Sequence, residues 1–255
     1  MKSLQKLRIF NSNTLKLIAA VSMFIDHLGL IYFPKVMWLR MIGRLAMPIF
    51  AFAIAEGCRY TKNKCKHFFL LFGLGALCQL VYFIFDPTTI YFGILITFSF
   101  STLMIYALQF AKKCSFGKEK KWWMTVGAWL LFFALVAGVY IFCKNFEVDY
   151  HFYGCIMPVF ASLFDFHRIP APDKWKKLDV LPLRVLCMTI PMIPLLFVSV
   201  FGISVTWYSL LTIPLLLLYN GKKGKRNMKY FFYVFYPVHL GLLQGIQIVM
   251  LLLGQ

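Results

Sequence analysis

The chain has 255 residues, of which 61% are hydrophobic and 14% charged, and it carries a formal net charge of +18. With a mean hydropathy of +0.74, this balance excludes a water-soluble globular domain, which could not hide so much apolar surface. The positive charge is dispersed over many loops instead of forming one stripe, which sets nucleic-acid binding aside.

In chain order, apolar stretches of roughly 17 to 25 residues recur, each long enough for a helix to cross about 30 Å of hydrocarbon. They predict spans over Leu15 to Phe33, Met37 to Glu56, His67 to Phe85, Tyr91 to Ala111, Trp123 to Phe142, Tyr150 to Phe166, Val180 to Val200, Ile203 to Tyr219 and Tyr230 to Leu253. The expected fold is all-α, a polytopic integral membrane helix bundle of about nine (roughly 8 to 10) transmembrane helices, forming a single transmembrane domain over residues 1–255. The sixth stretch is the shortest and the seventh carries Pro182, Pro191 and Pro194, so either is a candidate for a kinked or partial crossing.

The basic residues alternate along the chain. Lys2, Lys6, Arg8 and Lys16 fall on one side. Arg59, Lys62, Lys64 and Lys66 join them, as do Lys112, Lys113, Lys118, Lys120 and Lys121. So do Arg168, Lys174, Lys176, Lys177 and Arg184, and finally Lys222, Lys223, Lys225, Arg226 and Lys229. The other side receives Lys35, Arg40 and Lys144, with Asp86, Glu147 and Asp149. Short cytoplasmic loops hold the excess of Lys and Arg, which places the N-terminus in the cytoplasm and the chain in the inner (plasma) membrane as a multi-pass protein. The first helix follows a basic stretch but lacks an A-x-A cleavage site, so it is expected to be retained. Seven scattered cysteines without CxxC spacing indicate neither a disulfide framework nor a metal site.

Chemistry must come from residues that do not belong in lipid. By depth, Asp26 and His27 of the first span, Arg44 of the second, Gln79 and Tyr82 of the third, Thr97, Ser99, Ser101 and Thr102 of the fourth, and His239 of the last converge on one layer. Lys16 and His27 are close to three helical turns apart, which puts both on one face with the histidine about 16 Å deeper. Asp26 points about 100° away from His27 and is expected to pair with Arg44. Tyr236 and His239 share a face, so the hydroxyl can orient the imidazole, and Pro237 between them frees a backbone carbonyl. Glu56 is expected to pair with Arg59 or Lys62 at the interface. The bland reading makes Asp26 and Arg44 a helix clamp and His27 a core residue; two histidines, a carboxylate and an arginine at one level tilt the balance toward function.

Three blocks carry a resemblance: LKLIAAVSMFIDHLGL from Leu15, RMIGRLAMPIFAFAIAEGCRYTKN from Arg40, and KYFFYVFYPVHL from Lys229. In this order they resemble the signature blocks of the TraX family. That resemblance implies a transmembrane acetyltransferase of the kind linked to acetylation of the N-terminal amine of conjugative pilin subunits. The segment YFGILITFSFS departs from the Asn-containing segment that family often has before its fourth helix. The first block is also similar to the basic residue, ten-residue gap and histidine of acyl-CoA-dependent membrane acyltransferases, which falls here on Lys16 and His27.

On this reading acetyl-CoA is the acyl donor, with Lys16, Arg59, Lys62, Lys229 and Tyr233 as the coenzyme-binding set. His27 is the general base or transient acyl carrier, with its tautomer fixed by Asp26. Arg44 or Tyr236 stabilises the oxyanion, and His239 is a second proton relay. Membrane lipid surrounds the bundle, and the acceptor is a peptide N-terminus, a sugar hydroxyl or a small amine. The alternative is a secondary transporter or lipid flippase that uses the same Asp, His and Arg layer as a relay.

Overall fold

An apolar chain in hydrocarbon must satisfy its backbone N–H and C=O groups internally, and helices do so within one segment. The computed structural model describes residues 8–85, 91–117, 121–197, 205–226 and 228–252. Its helices are α1 (Ser12–Ile31), α2 (Met37–Gly43), α3 (Ala46–Tyr60), α4 (Lys64–Phe85), α5 (Ile94–Phe116), α6 (Trp122–Asn145), α7 (His151–Ala161), α8 (Asp173–Lys176), α9 (Leu181–Thr189), α10 (Met192–Leu196), α11 (Thr212–Leu217) and α12 (Lys229–Leu252). A 3-10 helix covers Val205–Leu211, and two short strands, β1 (Tyr91–Phe92) and β2 (Glu147–Val148), pair in parallel.

The architecture is an all-α membrane bundle. Among the described residues, five helical stretches are long and apolar enough to cross a membrane: Ser12–Ile31, Met37–Tyr60, Lys64–Val81, Ile94–Phe116 and Trp122–Asn145. They correspond to the first five predicted spans. The sixth is realised as α7, whose 11 residues are too few to cross about 30 Å at 1.5 Å per residue. The seventh is broken into α9 and α10 around Ile190 and Pro191, because a proline disfavours helix at the residue before it. The eighth is a 3-10 turn running into α11. Residues 198–204, which take in the end of the seventh stretch and the start of the eighth, and the loop residues Lys2, Lys6, Asp86, Lys118 and Lys120 lie outside the described residues, as does the side chain of Tyr82.

The chain divides into two compact units, one of residues 1–53 and 195–255, the other of residues 54–194. In the first, α1 packs against α2 and α12. Asn11 caps α1, its side-chain oxygen accepting from the Thr14 N–H at 3.0 Å. The strand-like segment before it is tied down by Phe10 N–H donating to Leu218 O at 3.1 Å and Asn220 N–H donating to Phe10 O at 2.8 Å. α1 and α12 run parallel, since Lys16, His27 and Tyr32 meet Phe232, His239 and Leu243 in that order. Close approach of α1 and α2 needs small residues. A Cβ on Gly29 would lie 2.8 Å from Leu39 Cβ, and one on Gly43 would run into the Asp26 side chain.

In the second unit α5 is central and packs against α4, α6 and α7. Its hydroxyls serve the helices themselves. Ser99 and Thr102 donate to Leu95 O and Phe98 O, each at 2.8 Å, Ser101 donates to Cys155 O at 2.6 Å, and Thr97 donates to Asp149 O at 3.0 Å. The fourth-span part of the predicted polar layer is therefore committed to packing.

The Gly43 contact yields a stability test. Gly43→Ala should cost about 1–3 kcal/mol by overpacking, seen as a lower thermal midpoint in detergent, whereas Gly73→Ala, where nothing lies within 4 Å, should leave the midpoint unchanged or slightly raised.

Candidate active site

Within the first unit, Asp26 on α1 faces two arginines. Arg40 Nη1 lies 2.8 Å from Asp26 Oδ2 and also donates to the Asp26 backbone carbonyl at 3.2 Å. Arg44 Nη2 is 3.8 Å from Asp26 Oδ1. The expected Asp26–Arg44 pair is present at longer range, and Arg40, which charge alternation assigns to an outer loop, is the closer partner. The geometry follows from the break after α2. Arg44 sits at the α2 C-cap, its N–H shared between Arg40 O and Met41 O at 3.2 and 3.3 Å, and its guanidinium reaches Asp26 only at longer range.

His27 and His239 meet edge-on, with ring centroids 5.1 Å apart and planes at 74°. Each is oriented by its own helix. His27 Nδ1 is 2.8 Å from Met23 O, and His239 Nδ1 is 2.9 Å from Phe235 O. A carbonyl only accepts, so both Nδ1 atoms carry a proton, and in the neutral form each ring presents Nε2 as a lone pair. The Met23 carbonyl, not Asp26, sets the His27 tautomer. Phe235 stacks on His239 at 4.9 Å and 9°, and the Tyr236 ring stands at 5.4 Å and 72°. The backbone carbonyl and Phe235 hold this imidazole, in place of the tyrosine hydroxyl suggested by spacing. His239 is 4% exposed, and its Nε2 is buried without a hydrogen-bond partner. Asp26, Arg40 and Arg44 all lie within electrostatic reach of His27.

Lys16, one face of α1 below His27, places Nζ 5.9 Å from the centre of the Phe232 ring. Lys16 and His27 therefore address the same helix, α12, as their spacing predicts. Tyr233 on α12 is partly buried. The Lys229 side chain lies outside the described residues.

The remaining predicted residues belong to the second unit. Glu56 pairs with Arg184 at 2.6 Å, not with Arg59 or Lys62. Arg59 is held by Asp179 at 2.6 Å and Asp165 at 3.1 Å, and with Lys62 it lines a cavity. Arg184 and Lys112, which the alternation assigns to loops, are 4% and 5% exposed. Lys112 Nζ donates to the carbonyls of Ser162, Leu163 and Asp165 at 2.9, 2.7 and 3.1 Å, closing the C-terminal end of α7. A signal for Lys112 exists in the sequence: it shares a helical face with the apolar Leu108 and Ile105, four and seven positions before it.

The family model described as "TraX protein" matches residues 11–247. A curated relative from Dichelobacter nodosus, "Probable fimbrial assembly protein FimC, serogroup H1", is 26% identical over 267 aligned residues, covering 92% of this chain and 94% of that protein. A local match, 42% identical over 52 residues, covers 20% of this chain and 21% of "Uncharacterized protein RP591" of Rickettsia prowazekii (strain Madrid E). No solved structure matches.

The ion cluster orders the two arginines. Arg40→Ala, which removes the close partner of a part-buried carboxylate, should lower stability by about 1.5–3 kcal/mol, and Arg44→Ala by less. Combining Arg40→Gln with Asp26→Asn should recover much of the Arg40 loss, read as a positive coupling in a thermal double-mutant cycle in detergent.

Proposed function

Because this chain belongs to the TraX family, we propose that it is a transmembrane acyltransferase that moves an acetyl group from acetyl-CoA to an amine or hydroxyl acceptor. The observation that carries this reading is the His27–His239 pair, two imidazoles on different helices with both Nδ1 atoms engaged and Nε2 left for proton transfer. The chain is placed with its N-terminus in the cytoplasm, where the basic loops meet an anionic coenzyme.

The residues fit such a donor. Lys16, at the start of α1 and on the face that leads to His27, supplies a cation for its phosphates. Acetyl-CoA brings the electrophilic thioester carbonyl. The chain's own groups supply the rest. His27 takes the proton from the attacking amine or hydroxyl at Nε2, and its Nδ1–H, fixed on Met23 O, keeps that lone pair available. His239, 5.1 Å away by ring centres, receives that proton from His27 at Nε2 and delivers it to the departing thiolate, so the coenzyme leaves as its thiol and both rings return to their starting state. Arg44 Nε and Nη2 are buried and make no hydrogen bond. They are the donors suited to the negative charge that develops on the carbonyl oxygen. Asp26 and Arg40 hold the arginine layer in place and keep its net charge low.

The fimbrial-assembly name of the Dichelobacter relative, together with the family resemblance, makes the N-terminal amine of a pilin-like subunit the acceptor to try first. A free chain end can enter a bundle whose outer loops are short, as a folded surface cannot.

His27→Ala and His239→Ala should each lower acetyl transfer by about 10²–10⁴-fold, measured with radiolabelled acetyl-CoA and a peptide bearing a free N-terminal amine, at unchanged thermal midpoint. Wild-type turnover in both variants would end this mechanism.

A further inference from the structure

Outside the histidine pair, the second unit contains a cavity of about 260 Å³ with an unusual lining: Arg59, Lys62, Lys64, Lys113, His167 and Arg168 all face it. Arg59 is already answered by Asp165 and Asp179. Among the described residues, no carboxylate pairs with Lys62, Lys64, Lys113 or Arg168. Lys64 and Lys113, from the start of α4 and the last turn of α5, are close enough to repel each other. Like charges gathered round a concave space are unfavourable unless something anionic enters it.

The surrounding backbone keeps them there. The Lys64 ammonium rests over the Tyr106 ring at 4.8 Å, and Tyr106 is tied to His67 Nδ1 at 2.7 Å. Arg168 adopts φ +60°, a left-handed conformation that a β-carbon-bearing residue rarely takes. The turn that carries it is anchored just before it, with His167 N–H donating to Asp165 Oδ1 at 2.9 Å and Phe166 N–H donating to Asp179 Oδ2 at 3.1 Å. His167 packs against Tyr60 at 5.0 Å. The acidic residues nearby thus hold the wall in shape and leave the cations turned to the cavity.

We propose that this cavity recognises a phosphomonoester dianion. Two lysines and a fork-shaped guanidinium suit its three terminal oxygens and two charges better than a single carboxylate, and the volume suits a phosphate-bearing head, not a whole ligand of roughly 300–1,000 Å³. Two sources carry this chemistry: the 3′-phosphate of coenzyme A, which rests on the acyl-donor reading above, and the headgroup of a lipid such as phosphatidic acid, which does not.

The test uses the full chain in zwitterionic nanodiscs, titrated with coenzyme A, with 3′-dephospho-coenzyme A and, in separate discs, with phosphatidic acid. Lys113 and Arg168 are exposed, so Lys113→Gln and Arg168→Gln should fold with an unchanged thermal midpoint, and Arg168→Lys should restore part of any loss. If the coenzyme is the ligand, each Gln variant weakens its binding by about tenfold, one charge-assisted contact, and leaves the dephospho form unaffected. If phosphatidic acid binds and the same variants weaken it while coenzyme A does not bind at all, the cavity stands and the acyl-donor reading falls. Coenzyme A binding that both variants leave intact, with no phosphatidic acid binding, would overturn the cavity and spare that reading. Absence of binding by either phosphomonoester would also overturn it.

Discussion

A charge enters an apolar helix bundle only with a partner, and this constraint organises both units of the chain. In the first, a single carboxylate, Asp26, is shared between Arg40 and Arg44. In the second, Glu56 answers Arg184, Asp165 and Asp179 answer Arg59, and Lys112 is satisfied by three carbonyl oxygens without any carboxylate. With nine acidic residues against 27 basic ones, carboxylates are scarce, and among the described residues Asp26, Glu56, Asp165 and Asp179 are spent on arginines. Backbone carbonyls at a helix end take the part of the missing anion for Lys112, since they carry partial negative charge and have no intrahelical donor.

Against that background the histidines are the exception. A neutral imidazole needs no counter-ion, and each ring is held at Nδ1 by its own i−4 carbonyl. This device fixes the ring without using Nε2. It leaves Nε2 of each ring outside that contact, and His239 Nε2 is buried without a hydrogen-bond partner. A buried polar atom left unsatisfied costs stability that packing alone would remove by replacing the histidine with leucine. On the proposed acyltransferase reading, that lone pair is the one that serves a visiting proton.

Much of this was legible from residue types and periodicity. The first five spans follow from length and hydropathy, and the shared face of Lys16 and His27 follows from eleven-residue spacing, which α12 confirms by touching both. What spacing could not supply was azimuth between helices. Arg40 lies one helical turn before Arg44, and only the break after Gly43 decides which of them reaches Asp26 closely. The short α7, the split of α9 from α10, and the burial of Arg184 likewise depend on tertiary packing. A rule that counts every Lys and Arg as a loop residue must miss Lys112, whose long stem crosses apolar surface and whose ammonium ends on carbonyls of another segment.

The chain's two ends build the histidine site. Tyr32 O–H donates to Leu243 O at 2.6 Å across 211 positions of sequence, and the same α1–α12 contact brings His27 to His239. Joining segments so far apart carries a loop-closure cost that grows only slowly with length, so the penalty is modest once the intervening helices are in place. Its consequence is ordering in time: neither histidine has its partner until α12 has been made and has packed alongside α1 in parallel. The Asp26–Arg40 pair needs only α1 and α2, which are joined by a short turn. The charge pair is therefore local to α1 and α2, whereas the histidine pair exists only once α12 has packed against α1.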